Sequence, residues 1–510
     1  MKTHRKAGTA ALAGLALAAT AAVSAPAQAD KPPHPNVNTA DQMARSIQVE
    51  NVMKHLQEFE RIAKDHDGNR AAGTSGYEAT AQYVEKELRK AGFAPKRQYF
   101  DFFFESVNAT SLNETSPEQR AWPNNPMSYA PSTGASGVTG ELAAPQVATG
   151  CAISDYAGAD LTGKIALVSR GTCSFAQKSQ VAGQAGADAA IIYNNAPGAL
   201  NGTLGGVSDA NIPTTGMTQA DGQALLAKMA QGPVTMTFIL DKTMEMRQTF
   251  NIIADSSRGR ADNVVMVGAH LDSVGSGPGI NDNGSGSAGI LETAIKLNKS
   301  KKYNNKVRFA WWGAEELGLI GSTHYVNDLV ENNPAELKKI ATYLNFDMIG
   351  SPNHIIGVYD ADQSTHQAPV PVPPGSAETE QVFTDYFDKI DQPWVDTEFS
   401  GRSDYQAFIL NGVPASGLFT GADGRKTAEE VRLFGGTEGE LYDPNYHTPA
   451  DDLTNINVDA LRIMSKAVGY ATMSLAIDTS AVNGKTNPRP GNGPKPKKVK
   501  PQIPHHLKAS

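Results

Sequence analysis

The 510-residue chain has only two cysteines, Cys151 and Cys173, too few for a thiolate zinc cage. It has no apolar run of the roughly 20 residues that a membrane-spanning helix requires. It has no internal repeat. Acidic residues are absent from both ends: residues 1–29 carry Lys2, Arg5 and Lys6 alone, and residues 481–510 carry seven Lys or Arg. Removing these cations from the net charge of −8 leaves −18 on residues 30–480. A body so acidic repels phosphate backbones, which argues against nucleic-acid binding. With 40% apolar and 19% charged residues, the composition excludes a fibrous or wholly disordered protein, and the length calls for two or three domains.

The ends are special-purpose segments. A basic start, the apolar stretch Ala10 to Val23 and Ala27-Gln28-Ala29 form a secretory signal cleaved after Ala29; a membrane anchor is the alternative, but the run is too short. Export places the two thiols in an oxidising compartment, where a pair closing a loop of about 20 residues contributes ~3 kcal/mol; two unpaired buried thiols are the other reading. Residues 30–40 are a Pro-rich lead-in. The stretch from 481 onward, rich in Pro, Gly, Lys and Asn, cannot bury a core and is expected to be disordered. It is either a linker remnant or a segment that touches anionic surfaces.

Between the ends, helical spacing of Val52, Leu56, Phe59 and Ile62, and of Tyr83, Val84 and Leu88, predicts helices on either side of a loop at 68–74, followed by a strand at 98–104. Residues 129–240 turn Gly- and Ala-rich, with short apolar runs at 165–168, 189–193 and 234–240, and read as a small α/β or β-rich domain inserted between 41–128 and 241–480. The second segment alternates strands at 264–267, 307–312 and 341–346 with helices at 287–297 and 319–326, and ends in a helix at 458–477. That alternation predicts a mixed, mostly parallel α/β sheet flanked by helices.

Polar residues cluster where these strands run out: His270 and Asp272, Asp282, Glu315 and Glu316, Asp347, and Tyr446-His447 in a late loop. In open α/β sheets, ligands bind at the carboxyl ends of strands. Each piece alone has an ordinary reading as a turn, a cap or a helix start. Together they are different. Several carboxylates in one site repel unless a cation is present. Two Zn²⁺ balance Asp282, Glu316 and Asp347 plus one hydroxide, and nitrogen and oxygen donors without thiolate suit zinc. The composition points to metal-assisted hydrolysis.

The strings GAHLDSV (268–274), GINDNGSG (279–286), WGAEELGLIGS (312–322), NFDMIG (345–350), SGRSDYQAF (400–408), GLFTGA (417–422) and YHTPAD (446–451), with GNRAAGTSGYEATAQYV (68–84) upstream, resemble the secreted co-catalytic di-zinc aminopeptidases of the aminopeptidase Y and Streptomyces leucine-aminopeptidase type. The resemblance implies that His270 and Asp347 bind one zinc, Glu316 and His447 the other, and that Asp282 bridges both. It implies that Glu315 is the general base, that Asp272 fixes the imidazole of His270, and that Tyr446 stabilises the oxyanion. Arg402 and Phe419 match substrate-pocket positions. The expected substrates are peptide or protein N-termini bearing large hydrophobic residues, and the expected state is a secreted monomer. Cysteines that flank the Tyr-His pair in some relatives are replaced by Asn445 and Ala450, so the loop must be held otherwise, with Pro444 and Pro449 as candidates. The strings DLTGKIALV (160–168), RGTCSF (170–175) and GQAGA (183–187) resemble a protease-associated domain, and that likeness implies a Cys151–Cys173 pair.

Three rivals share some of these features. A di-zinc carboxypeptidase or dipeptidase calls for an arginine cluster, whereas only Arg402 lies near the motifs. A glutaminyl cyclase calls for one metal, whereas five ligands are present. A metal-free receptor-like binding module has no use for an intact ligand set and Glu315.

Overall fold

A computed structural model describes residues 37–486 of the chain. The expected signal at 1–29, the lead-in up to residue 36 and the tail beyond residue 486 lie outside the described residues. The first helices follow the apolar spacing. Thr39 caps Ala40–Ser46, and Val52, Leu56, Phe59 and Ile62 are all buried on one face of Val49–Asp65. Thr74 then accepts a hydrogen bond from the Tyr77 amide to start Ser75–Lys90.

The central strands carry apolar residues on both faces, so helices cover both sides. Arg260–His270 lies between Ile340–Phe346 and Asn305–Trp312, parallel to each; Ala415–Phe419 continues the parallel run. Gly357–Tyr359 and Thr235–Asp255 extend the sheet antiparallel on opposite sides. One face packs under Val49–Asp65, Ser75–Lys90, Gly286–Leu297, Ser376–Lys389 and Val458–Ile477; the other packs under Ile320–Asn332 and Tyr405–Leu410.

The inserted region has a core of its own, built around the parallel strands Val138–Ala143, Ile165–Ser169, Ala189–Tyr193 and Thr214–Met217. The Cys151–Cys173 disulfide is formed there. Three expected limits shift. The strand expected at 98–104 is Lys96–Ser116, paired antiparallel with Thr235–Asp255 along its whole length, and Leu112, Trp122 and Met127 belong to the core of the insert although they precede residue 129. At the other end, Ser480–Asn483 is a short helix whose Val482 is buried, and Asn483 donates to Asn263, so ordered chain runs past 481.

Candidate active site

Strand register assembles the site. Trp312 pairs with His270, and Asn345 pairs with Gly268, so three neighbouring parallel strands end level. His270 closes its strand, Glu315 and Glu316 follow Trp312, and Asp347 follows Phe346. Asp282 enters from the turn that opens Gly286–Leu297. Asp451 holds that turn: its two carboxylate oxygens accept the Asn281 and Asp282 amides at 2.9 Å each.

Asp282 stands between two histidines. Its Oδ1 is 3.3 Å from His270 Nε2, and its Oδ2 is 3.1 Å from His447 Nε2. Asp347 Oδ1 lies 3.3 Å from His270 Nε2, and Glu316 Oε2 lies 3.0 Å from His447 Nε2. His270, Asp282 and Asp347 form one donor group; Asp282, Glu316 and His447 form the other, each with its donor atoms within 4.8 Å of one another. These are the five residues expected as ligands, brought together in the two expected sets.

The donor set fits cations. Asp347 Oδ1 and Glu316 Oε1 are buried oxygens without a hydrogen-bond donor, an arrangement that is unfavourable unless a positive charge faces them. A third acidic group, Asp360, Asp362 and Glu380, contrasts with this. There Asp360 accepts the amides of Ser364, Thr365 and His366, and Glu380 accepts those of Ala361 and Asp362. Burial pushes the Glu316 carboxyl up to about 8, with Asp282 adding to it. Burial also drives Glu315 well above the ordinary carboxylate range; His270 opposes it, and Asp347 and Asp404 reinforce it. For His447 burial lowers proton affinity, but Asp282 and Glu316 outweigh it and raise the ring to about 10.

Asp272 makes more contacts than the one expected. The Nδ1 of His270 donates to the backbone carbonyl of Asp272 at 3.0 Å, which leaves Nε2 for ligation. The Asp272 carboxylate, 3.7 Å from that ring, accepts the amides of Glu315 and Glu316 at 3.2 and 3.3 Å. It therefore aims the two glutamates while standing beside the imidazole. The His447 loop is held by Asn445: its amide donates to Asp443 and its side chain to Asn455, both at 2.9 Å, and its carbonyl accepts from Thr448. Arg402 forks onto Asp423 and reaches the Tyr446 hydroxyl at 3.4 Å, and the Tyr446 ring stacks on His447 at 3.8 Å. A cavity of about 230 Å³ opens beside the donor groups, lined by Met348, Tyr359, Tyr405, Phe419 and Tyr442 on its apolar side.

Comparison with known proteins agrees with this geometry. Residues 251–472 match the peptidase family M28 model and residues 138–225 the PA domain model. Leucine aminopeptidase 2 of Trichophyton rubrum is 43% identical over 439 residues, 86% of either chain. The chain belongs to peptidase family M28. It is a metallo-aminopeptidase of that family with an inserted PA domain. Among solved structures, an aminopeptidase from Aneurinibacillus sp. strain AM-1 superposes with a TM-score of 0.66 at 28% identity, covering 85% of this chain and 95% of the other. A zinc aminopeptidase from Bacillus subtilis gives 0.59 at 27%, covering 86% and 98%.

Three buried residues of this M28 peptidase escaped the sequence reading although they lie in strings already singled out. Ser403 donates to Asp347 Oδ2 at 2.6 Å. Both carboxylate oxygens of Asp404 are buried without a hydrogen-bond donor, and burial pushes its carboxyl up to about 7. Arg70, fully buried, donates to the carbonyls of Leu271, Pro278 and Gly279 and so clasps the loop between His270 and Asp282. Burial draws its guanidinium down to about 10, against the pull of Asp272, Asp451, Asp282 and Glu316. An arginine between Asn69 and Ala71 in a loop carries no sequence signal of such a partnership.

Proposed function

We propose that this M28 peptidase is a secreted, two-zinc aminopeptidase that removes large hydrophobic residues from peptide N-termini. His270 and Asp347 would hold one ion, Glu316 and His447 the other, and Asp282 both. The observation that carries the reading is the pair of donor groups sharing Asp282. When bound, the ions would polarise the scissile carbonyl and lower the pKa of water.

The remaining chemistry belongs to side chains. Glu315, unligated and held at high proton affinity by burial, takes the proton of the attacking water and returns it to the leaving amine. Burial and the nearby carboxylates keep the Tyr446 hydroxyl protonated, so it can donate to the oxyanion. Arg402 and Asp423 hold Tyr446 in place, which makes Arg402 a support of that hydroxyl. The carboxylate-rich floor favours a free α-ammonium, and Phe419, Tyr359 and Met348 offer apolar surface to the first side chain. The leucine named for the Trichophyton relative and the zinc named for the Bacillus structure are in keeping with this. The disulfide and the signal pattern at 1–29 support export.

The test compares leucine p-nitroanilide with its N-acetyl form, with and without a chelator, and measures zinc content. Activity on the free amine alone, lost on chelation and restored by zinc, is expected. Glu315→Gln should retain two zinc ions per chain and lose turnover by about 10²–10⁴-fold. Equal cleavage of the blocked substrate, or near-normal turnover by Glu315→Gln, would overturn the reading.

A further inference from the structure

We propose that Trp312 and Tyr343 are positioning residues for the Asp347 ligand, acting through a one-way hydrogen-bond relay that ends on Asp347 Oδ2. This rests on the metal site proposed above. Trp312 Nε1 donates to the Tyr343 hydroxyl at 2.8 Å, Tyr343 to Asn345 Oδ1 at 2.9 Å, Asn345 Nδ2 to Ser403 Oγ at 2.8 Å, and Ser403 to Asp347 Oδ2 at 2.6 Å. All four donors are at most 4% exposed, so water does not compete for the links.

The direction of the relay follows from hydrogen-bond chemistry. An indole N–H can only donate. The Tyr343 oxygen therefore accepts from Trp312, and its single proton goes to Asn345 Oδ1. That contact turns the Asn345 amide so that its NH₂ faces Ser403. Ser403, accepting from Asn345, spends its own proton on Asp347. The final link is a short, charge-assisted bond. Asp347 Oδ2 is thereby held as an acceptor, and the carboxylate plane is set so that Oδ1, which has no donor, faces His270 Nε2.

The surroundings are shaped for the relay. Tyr343 stacks on Phe408 with ring centroids 4.0 Å apart and planes 8° from parallel, which fixes where its hydroxyl points. Gly268, on the strand between them, leaves the required space: a Cβ there would fall 2.4 Å from the Tyr343 oxygen and 2.7 Å from Trp312 Nε1.

The experiment is zinc titration of the chelator-stripped full-length enzyme against a competing chelator. Wild type should take up two equivalents. Tyr343→Phe, which removes one oxygen and keeps the stacked ring, should weaken one equivalent by about 10–100-fold and leave the other unchanged. Trp312→Phe should act in the same sense, Ser403→Ala at least as strongly, and Ser403→Thr should restore binding. Circular dichroism of each apo variant establishes that it is folded. A folded Tyr343→Phe protein that binds both equivalents with wild-type affinity would overturn the relay alone. Wild-type protein that takes up no zinc would overturn the metal site and the relay with it. Weakening of both equivalents alike would overturn the assignment to Asp347.

Discussion

Replacing Arg70 by Met keeps most of the side chain's length and removes every hydrogen bond it makes. Two carbonyls, of Leu271 and Pro278, are left without a donor in a site closed to water, and that of Gly279 keeps only the Gly284 amide at 3.0 Å. Each such group costs about 1–3 kcal/mol. Relief from desolvating the guanidinium offsets part of this, and loss of its attraction to Asp272, Asp451, Asp282 and Glu316 adds to it. The net loss on removing one member of a buried charged network is about 3–5 kcal/mol. A folded unit of this size has an unfolding entropy near 1 kcal/mol per degree, so Tm should fall by roughly 3–5 °C. The assay is calorimetry on zinc-loaded and chelated protein. The drop should be larger after chelation, when Arg70 is one of few positive charges facing those acids. Arg70→Lys should recover only part of the loss, since an ammonium lacks the planar fork that meets three carbonyls at once. Arg70→Met melting within 1 °C of wild type in both states would refute the reasoning.

Two further outcomes test other parts of the molecule. Replacing both cysteines by Ser opens a loop with a sequence separation of 22, worth about 3 kcal/mol; the insert should melt earlier while leucine p-nitroanilide turnover at 25 °C persists, and an unchanged melt would contradict this. Burial raises the Glu380 carboxyl from an ordinary value of 4.5 to about 7, against the two amides it accepts. The folded chain then holds more protons than the unfolded one between those values, so stability falls as pH rises through that window. Glu380→Gln cannot ionise and still offers the amides an acceptor. Its urea midpoint should gain on wild type from pH 5 to pH 8, and an equal difference at both would refute the assignment.

What was legible in the sequence was whatever depends on local pattern. The helix expected at 458–477 is Val458–Ile477, because Asn457 caps its start and its apolar spacing is unbroken. The clustering of candidate ligands at strand ends was readable because parallel strands bring those ends level. Less legible was anything set by a partner distant in sequence. Lys96–Ser116 runs well beyond 104 because Thr235–Asp255 supplies its hydrogen bonds, although Asn108, Ala109 and Thr110 are exposed and break the apolar alternation. The family resemblance tied Asp272 to the His270 imidazole, but that its carboxylate would also accept the amides of Glu315 and Glu316, more than 40 residues on, was not legible. Arg70 and Asp451 satisfy backbone groups about 200 and 170 residues away, and nothing in their residue type discloses that.

The paired ribbon of Lys96–Ser116 and Thr235–Asp255 also says how a second module can sit inside a catalytic chain without disturbing it. Near the active site Phe100 and Phe102 pack on Ala314, next to Glu315, while farther out Leu112 and Phe238 belong to the other core. Between these stretches Ser106 lies beside Thr243, and Val107 beside Lys242. Antiparallel neighbours at that separation are what a tight hairpin turn joins. A short turn joining Val107 to Lys242 would therefore close the ribbon of the catalytic half with the passenger left out.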